Sequence, residues 1–113
     1  MEQGIRQEIA ILHAQICHAL ADPSRLLILF TLARKPKCVN DLSAELGLSQ
    51  PSVSRHLRVL RERALVTAER QGTAVYYSLT DPRILQALDL LRDIVRDHAV
   101  HQADLARNAR GGQ

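Results

Sequence analysis

The chain has 113 residues, a formal net charge of +3, 46% apolar residues and only 3% aromatic residues. This length suits one compact domain, and no apolar run is long enough to cross a bilayer or to serve as a signal peptide. We therefore expect a cytoplasmic protein that makes no membrane contact. Two cysteines are too few for a disulfide framework.

The excess positive charge is concentrated in one segment. Residues 54–70 hold five arginines and two glutamates, whereas the acidic and basic residues of the rest of the chain balance. A localised basic surface is typical of phosphate binding, and arginine suits bidentate contacts to phosphate and guanine. This placement of charge favours a nucleic-acid partner.

A first helix is predicted over residues 5–20, because apolar residues recur there at helical spacing. Cys17 lies beside this stripe and is expected to be a small core residue. His13 and His18 are expected at the surface or in an interface. Asp22-Pro23 is a helix start signal, and the strongly apolar run that follows predicts a central core helix.

Residues 39–64 predict two short helices joined by a tight turn. Gly47 suits the end of the first helix, and Ser49 suits the cap of the second. Val53, Leu57 and Leu60 form the inward stripe of the second helix. A polar and basic second helix after a glycine-containing turn is the helix-turn-helix pattern, and its expected DNA contacts are Gln50, Ser52, Ser54, Arg55 and Arg58.

Residues 65–79 predict a β-hairpin, because a β-branched and aromatic run follows a polar turn that contains Gly72. A hairpin in this position is a wing, whose Arg70 and Gln71 are expected to touch phosphate or the minor groove.

A last helix is predicted over residues 81–105, with Leu88 and Leu91 on its apolar stripe, and residues 106–113 are expected to be a disordered tail.

The predicted order is α-α-α-α-β-β-α, which is a mainly α winged helix-turn-helix with a small β-hairpin and a single domain over residues 1–113. We expect the first helix (1–20) and the last helix (81–105) to form a homodimer, because a domain this small has little other core to cover both apolar faces. An alternative is a winged-helix module that binds an acidic protein. No catalytic constellation or phosphate loop stands out, so an enzyme is not expected.

Three segments cover most of the chain: ALADPSRLLIL at 19–29, CVNDLSAELGLSQPSVSRHLRVLRERALV at 38–66 and RQGTAVYYSL at 70–79. Together they resemble the ArsR/SmtB family of bacterial metal- and stress-responsive repressors. The resemblance implies a homodimeric repressor that places its second motif helix in the major groove of a pseudo-palindromic operator. It also implies release of the DNA when an effector binds.

The effector is left open by the sequence. Family metal sensors carry Cys-Val-Cys-Asp-Leu before the motif, and this chain reads Cys38-Val39-Asn40-Asp41-Leu42. The loss of the second thiol argues against a two-thiol arsenite site within this loop. Cys38 and Asp41 remain candidate ligands for zinc or cadmium, and Cys17 is a candidate partner for Cys38.

Cys38 lies near a helix N-terminus and follows Lys35 and Lys37, and both features favour a thiolate. A redox signal is therefore an alternative to a metal, and a repressor with no small effector is a third possibility. A second set of metal ligands is considered along one face of the last helix, where Asp93, Asp97, His101 and Asp104 recur; a solvated face is the alternative that we favour.

Overall fold

A computed structural model of the chain describes residues 2–111, with side chains described for residues 2–109. The helices are Gln3–Leu12, a π-helical turn at His13–Cys17, His18–Leu20, Pro23–Leu32, Val39–Leu46, Gln50–Glu62 and Arg83–Gly111. Two strands, Val66–Gln71 and Ala74–Leu79, pair as an antiparallel hairpin. This is the predicted mainly α chain with one small β-hairpin. The contacts divide the chain into two compact units at the boundary between Pro82 and Arg83.

The first three helical stretches run from Gln3 to Leu20 and are called the N-terminal arm. The arm contains no buried residue from Gln3 to Cys17, and only near its end is Ala19 fully buried. The prediction that Cys17 is a core residue is therefore wrong for the protomer, because the apolar stripe beside it is itself mostly exposed.

The helix at Pro23–Leu32, called the core helix, forms as predicted. The Asp22 carboxylate accepts hydrogen bonds from the backbone N–H groups of Ser24 and Arg25, at 2.8 and 3.3 Å, which satisfies two donors of the first turn. Pro23 costs nothing at the first position, since its missing N–H would have no partner there. Ile28 and Leu29 are fully buried.

The first motif helix, Val39–Leu46, and the second, Gln50–Glu62, are joined by a turn that begins at Gly47. Gly47 adopts φ +67°, which L side chains rarely adopt. The Ser43 hydroxyl donates to the Leu48 carbonyl, and Ser49 caps the second helix by accepting from the Ser52 N–H at 3.3 Å. The turn is therefore closed by side chains as well as by backbone.

The second motif helix ends in a Schellman motif. The Leu65 N–H donates to the Leu60 carbonyl at 2.8 Å and the Ala64 N–H donates to the Arg61 carbonyl at 3.0 Å. Leu60 and Leu65, the positions between which this motif usually has a hydrophobic contact, are both buried. Ala64 occupies the position that glycine usually takes, with φ +61°.

The hairpin turns through Gly72 and Thr73, because Gln71 pairs with Ala74. Gly72 has φ +65°, and Thr73 is not among the residues with positive φ, as in a type II′ turn. On its other side the second strand meets Lys37. The Lys37 N–H donates to the Tyr77 carbonyl at 3.1 Å, and the Tyr77 N–H donates back at 2.8 Å.

The last helix extends from Arg83 to Gly111. The last helix therefore extends into the segment that is expected to be a disordered tail, 106–113, of which residues 112 and 113 lie outside the described residues. Within the described residues, no helix combines the length and the apolar character needed to cross a membrane.

Candidate nucleic-acid interface and effector site

The second motif helix separates a buried face from a basic exposed face. Val53, Leu57 and Leu60 are no more than 1% exposed. Arg55 and Arg58 are exposed and lie roughly opposite this stripe at 100° per residue. Four of the five predicted helix contacts are exposed, and the fifth, Ser52, is half-buried: Gln50, Ser52, Ser54, Arg55, Arg58. The helix can therefore present hydrogen-bonding and cationic groups without disturbing its packing.

His56 is half-buried at the border of this face. Burial raises the pKa of Asp22, but the hydrogen bonds from Arg25 and Ser24 and the positive charges of His56 and Arg25 outweigh it. The pKa of Asp22 is consequently lowered below its ordinary value of 3.8. A carboxylate that stays ionised keeps both the helix cap and an anionic neighbour for the second motif helix.

The hairpin tip places a second set of polar groups at the surface. Arg70, Gln71 and Thr73 are all exposed. Arg70 pairs with Val75 across the strands, so its backbone is fixed while its side chain is free to reach outward. A long cation on a rigid hairpin is suited to a phosphate contact.

Cys38 is a half-buried free thiol at the cap position of the first motif helix, and its side chain makes no capping hydrogen bond. It lines a cavity of about 410 Å³ between the start of that helix and the hairpin. The other lining residues are Val39, Asn40, Thr73, Ala74, Val75 and Tyr77. A group bound to the thiol would therefore lie against the hairpin.

Of the two lysines that precede Cys38, Lys37 is paired with a carboxylate of the first motif helix. The Lys37 ammonium is 3.0 Å from the Glu45 carboxylate, and its side chain is only 11% exposed. Arg34 is the second cation near Glu45, at 3.8 Å. The ion pair fixes Lys37 to the first motif helix, so its contribution is to position the chain rather than to leave an unpaired charge for the thiol.

The remaining effector candidates do not come together. Cys17 and Asp41 are exposed and neither lines the Cys38 cavity. Across the described part of the chain, no group of three or more histidine, cysteine, aspartate and glutamate side chains is placed to hold a metal ion.

The ligand set considered on the last helix is therefore not supported within one chain. Residues at i, i+4 and i+8 span about 12 Å of helix, too far for three side chains to converge on one ion. Asp93 and Asp104 instead form ion pairs with Arg96 and Arg107.

Sequence reasoning missed the contacts that join distant segments. The Lys37–Tyr77 backbone pair, the Lys37–Glu45 ion pair and the hairpin wall of the Cys38 cavity all depend on residues far apart in the chain. Lys37 lies between Pro36 and Cys38 in a segment with no strand pattern, so the local sequence does not predict its pairing. The local sequence likewise does not predict that Arg25 caps the last turn of the N-terminal arm.

The fold and the basic face define a winged helix-turn-helix DNA-binding protein. Residues 22–68 match the family model described as bacterial regulatory protein, arsR family. A transcriptional repressor SmtB homolog of Synechocystis sp. is 45% identical over 85 residues, which are 75% of this chain and 61% of that relative. A probable mercury resistance operon repressor of Streptomyces lividans is 37% identical over 76% of this chain and 69% of its own length.

Among solved structures, the homodimeric winged helix-turn-helix DNA-binding domain of Mb0332 from Mycobacterium bovis superposes on this chain with a TM-score of 0.75. It is 26% identical, and the match covers 87% of this chain and 90% of that domain. The chain belongs to the arsR family of bacterial regulatory proteins. The chain spans about three-fifths of the length of the Synechocystis relative.

Proposed function

We propose that this regulator is a repressor that binds double-stranded operator DNA as a homodimer and releases it in response to an effector that acts at Cys38. The exposed basic face of the second motif helix, opposite its buried stripe, carries the DNA-binding part of the proposal. Each protomer would place this helix in a major groove, with the hairpin tip on the adjacent backbone. Its place of action would be the cytoplasm, where the operator lies.

Replacement of Arg55 by Ala tests the proposed DNA-binding face. If Arg55 reads a guanine, operator affinity should fall by roughly 1–3 kcal/mol. Arg96→Ala is the matched control, because Arg96 is an exposed arginine on the last helix that is paired with Asp93. Binding by Arg55→Ala that equals wild type would contradict the facing of the helix. Binding that falls little with salt would favour the acidic-protein partner instead.

Two exposed apolar surfaces support the homodimer. The arm exposes Ile5, Ile9, Ile11 and Leu12, and the last helix separately exposes Leu90, Leu91, Ile94, Val95, Val100 and Leu105. Contiguous apolar surface of this kind marks an interaction site in a chain that does not cover it alone. A second copy is the proposed occupant, in line with the homodimeric relative.

The geometry around Cys38 supports its role as the sensing residue. Its carbonyl accepts the first helical hydrogen bond of the first motif helix, from Leu42 at 3.1 Å, and its neighbour Lys37 is joined to Tyr77 of the hairpin. A bond formed at the sulfur would therefore push on the hairpin and on the first motif helix, which packs against the DNA-contacting second motif helix. A coupling of about 1–3 kcal/mol would suffice for release.

The residues present in one chain do not complete a metal site. Cys38 is a single thiol, and the described residues hold no third ligand nearby. A thiophilic ion such as arsenite or cadmium, or a borderline ion such as zinc, would need donors from the second protomer, whereas an oxidant would need only the thiol. The relative named for mercury resistance supports a thiophilic metal in general.

The decisive measurement is operator affinity of wild type, Cys38→Ser and Cys17→Ser, each with and without zinc, cadmium, arsenite, mercuric ion or peroxide. Cys38→Ser should bind operator as wild type does and should no longer release it. Cys17→Ser is the matched control, since it removes an exposed thiol outside the cavity; loss of release there as well would make Cys17 the partner. Equal release by all three proteins would make Cys38 structural.

A further inference from the structure

One arginine joins the N-terminal arm to the rest of its unit. The Arg25 side chain donates from Nε to the Ala19 carbonyl at 2.6 Å and from Nη2 to the His18 carbonyl at 3.3 Å. Both carbonyls belong to the last turn of the arm, and the His18 carbonyl also accepts from the Ala21 N–H at 3.3 Å. A charged donor at a helix C-terminus is also favoured by the helix dipole.

Arg25 is held at its other end by the core helix. Its backbone N–H donates to the Asp22 carboxylate at 3.3 Å, and the same carboxylate accepts from Ser24 at 2.8 Å. The next backbone bond, from Leu26 to the Asp22 carbonyl at 3.2 Å, begins the regular helix. The guanidinium therefore extends from the fixed first turn of the core helix and binds the end of the N-terminal arm.

Little else fixes the direction of the arm within this unit. Ala19 is buried, but from Gln3 to Cys17 the arm has no buried residue. The arm is about 27 Å long at 1.5 Å per residue, so a 10° change at the junction would move its far end by about 5 Å. The junction is thus the place where a small change has the largest geometric effect.

We propose that Arg25 and Asp22 are positioning residues that set the angle between the arm and the helix-turn-helix, and so set the separation of the two second motif helices in the dimer. This inference rests on the proposed function, because it requires dimerisation through the arm. A dimer reads two half-sites about 34 Å apart, and the protein must match that separation on one face of the DNA.

Arg25→Gln tests the inference, because glutamine cannot supply the charged two-donor fork. Arg25→Lys is the conservative variant, and Arg34→Gln is the matched control because that side chain is 78% exposed with only a 3.8 Å ion pair. The probes are duplexes selected from a random-sequence pool by the wild-type protein. They carry two inverted half-sites at the selected spacing, the same half-sites with one or two base pairs inserted, or a single half-site.

Arg25→Gln should bind the selected two-site duplex roughly tenfold or more weakly, keep its single-site affinity within about twofold, and lose the preference for the selected spacing. Arg25→Lys should recover part of the loss, and Arg34→Gln should behave as wild type. Loss of equal size on two-site and single-site duplexes, or no loss on either, would overturn the inference. If Arg25→Gln does not fold by circular dichroism, Arg25→Lys carries the same comparison. Wild-type protein that binds both duplexes equally would overturn the proposed dimer itself.

Discussion

Ala64 holds a left-handed backbone conformation directly after the second motif helix, and its replacement by glycine should stabilise the protein. An L-residue in this region costs about 1–2 kcal/mol relative to its ordinary conformations. Glycine removes this cost but loses more conformational freedom on folding, about 0.4–1 kcal/mol. Ala64 is exposed, so no buried contact is lost with its methyl group. The net gain should be about 0.5–1 kcal/mol in the free energy of unfolding.

Thermal unfolding measures this gain. At about 2.1 cal/mol/K of unfolding entropy per residue, it should raise Tm by about 2–4 °C. Gly47→Ala is the matched control with the opposite sign, because Gly47 has φ +67° and an added Cβ would meet nothing within 4 Å. The stability that Gly47→Ala loses should therefore come only from backbone strain and not from a steric clash. The proteins must be compared at equal concentration, since a dimer's Tm depends on it. An Ala64→Gly protein that is no more stable than wild type would refute the strain argument.

Three further predictions address DNA binding, assembly and pH. Arg70→Ala should weaken binding to operator and random DNA alike and lower the salt slope by about one, and a loss confined to operator would show that the hairpin reads sequence. Leu91 is 58% exposed in the protomer and would be buried only in the proposed dimer. Leu91→Asp should therefore break the dimer and abolish tight operator binding, because a buried unpaired charge costs several kcal/mol. An intact dimer on sedimentation would show that Leu91 is not in the interface. Since the folded-state pKa of Asp22 lies below 3.8, its stabilisation should be complete above about pH 5 and fade as the pH falls through that lowered pKa. The difference in unfolding free energy between wild type and Asp22→Asn should shrink over the same range, and a constant difference would contradict this.

Leu88 and Leu91 differ in their value as tests of assembly. Both lie on the predicted apolar stripe of the last helix, but Leu88 is only 8% exposed in the protomer. Because Leu88 is already buried in the protomer, a charge there would not report on assembly alone, whereas Leu91 is exposed. Leu91 is therefore the better position at which to test the proposed dimer.

The local sequence determined the elements and most of their ends. Asp22 and Ser49 cap the helices that they precede, and Gly47 takes the left-handed turn, because each effect depends on atoms within a few residues along the chain. The spacing of Val53 and Leu57 likewise fixed which face of the second motif helix is buried.

Tertiary structure alone decided how separate segments meet. The hold of Arg25 on the arm, the pairing of Lys37 with Tyr77 and the cavity beside Cys38 join residues whose local patterns carry no sign of one another. The exposure of Cys17 was also decided there, because an apolar stripe shows that a face will be covered but not whether its own chain or a second copy covers it. Periodicity and capping are properties of neighbouring residues, whereas these contacts depend on the packing of whole elements.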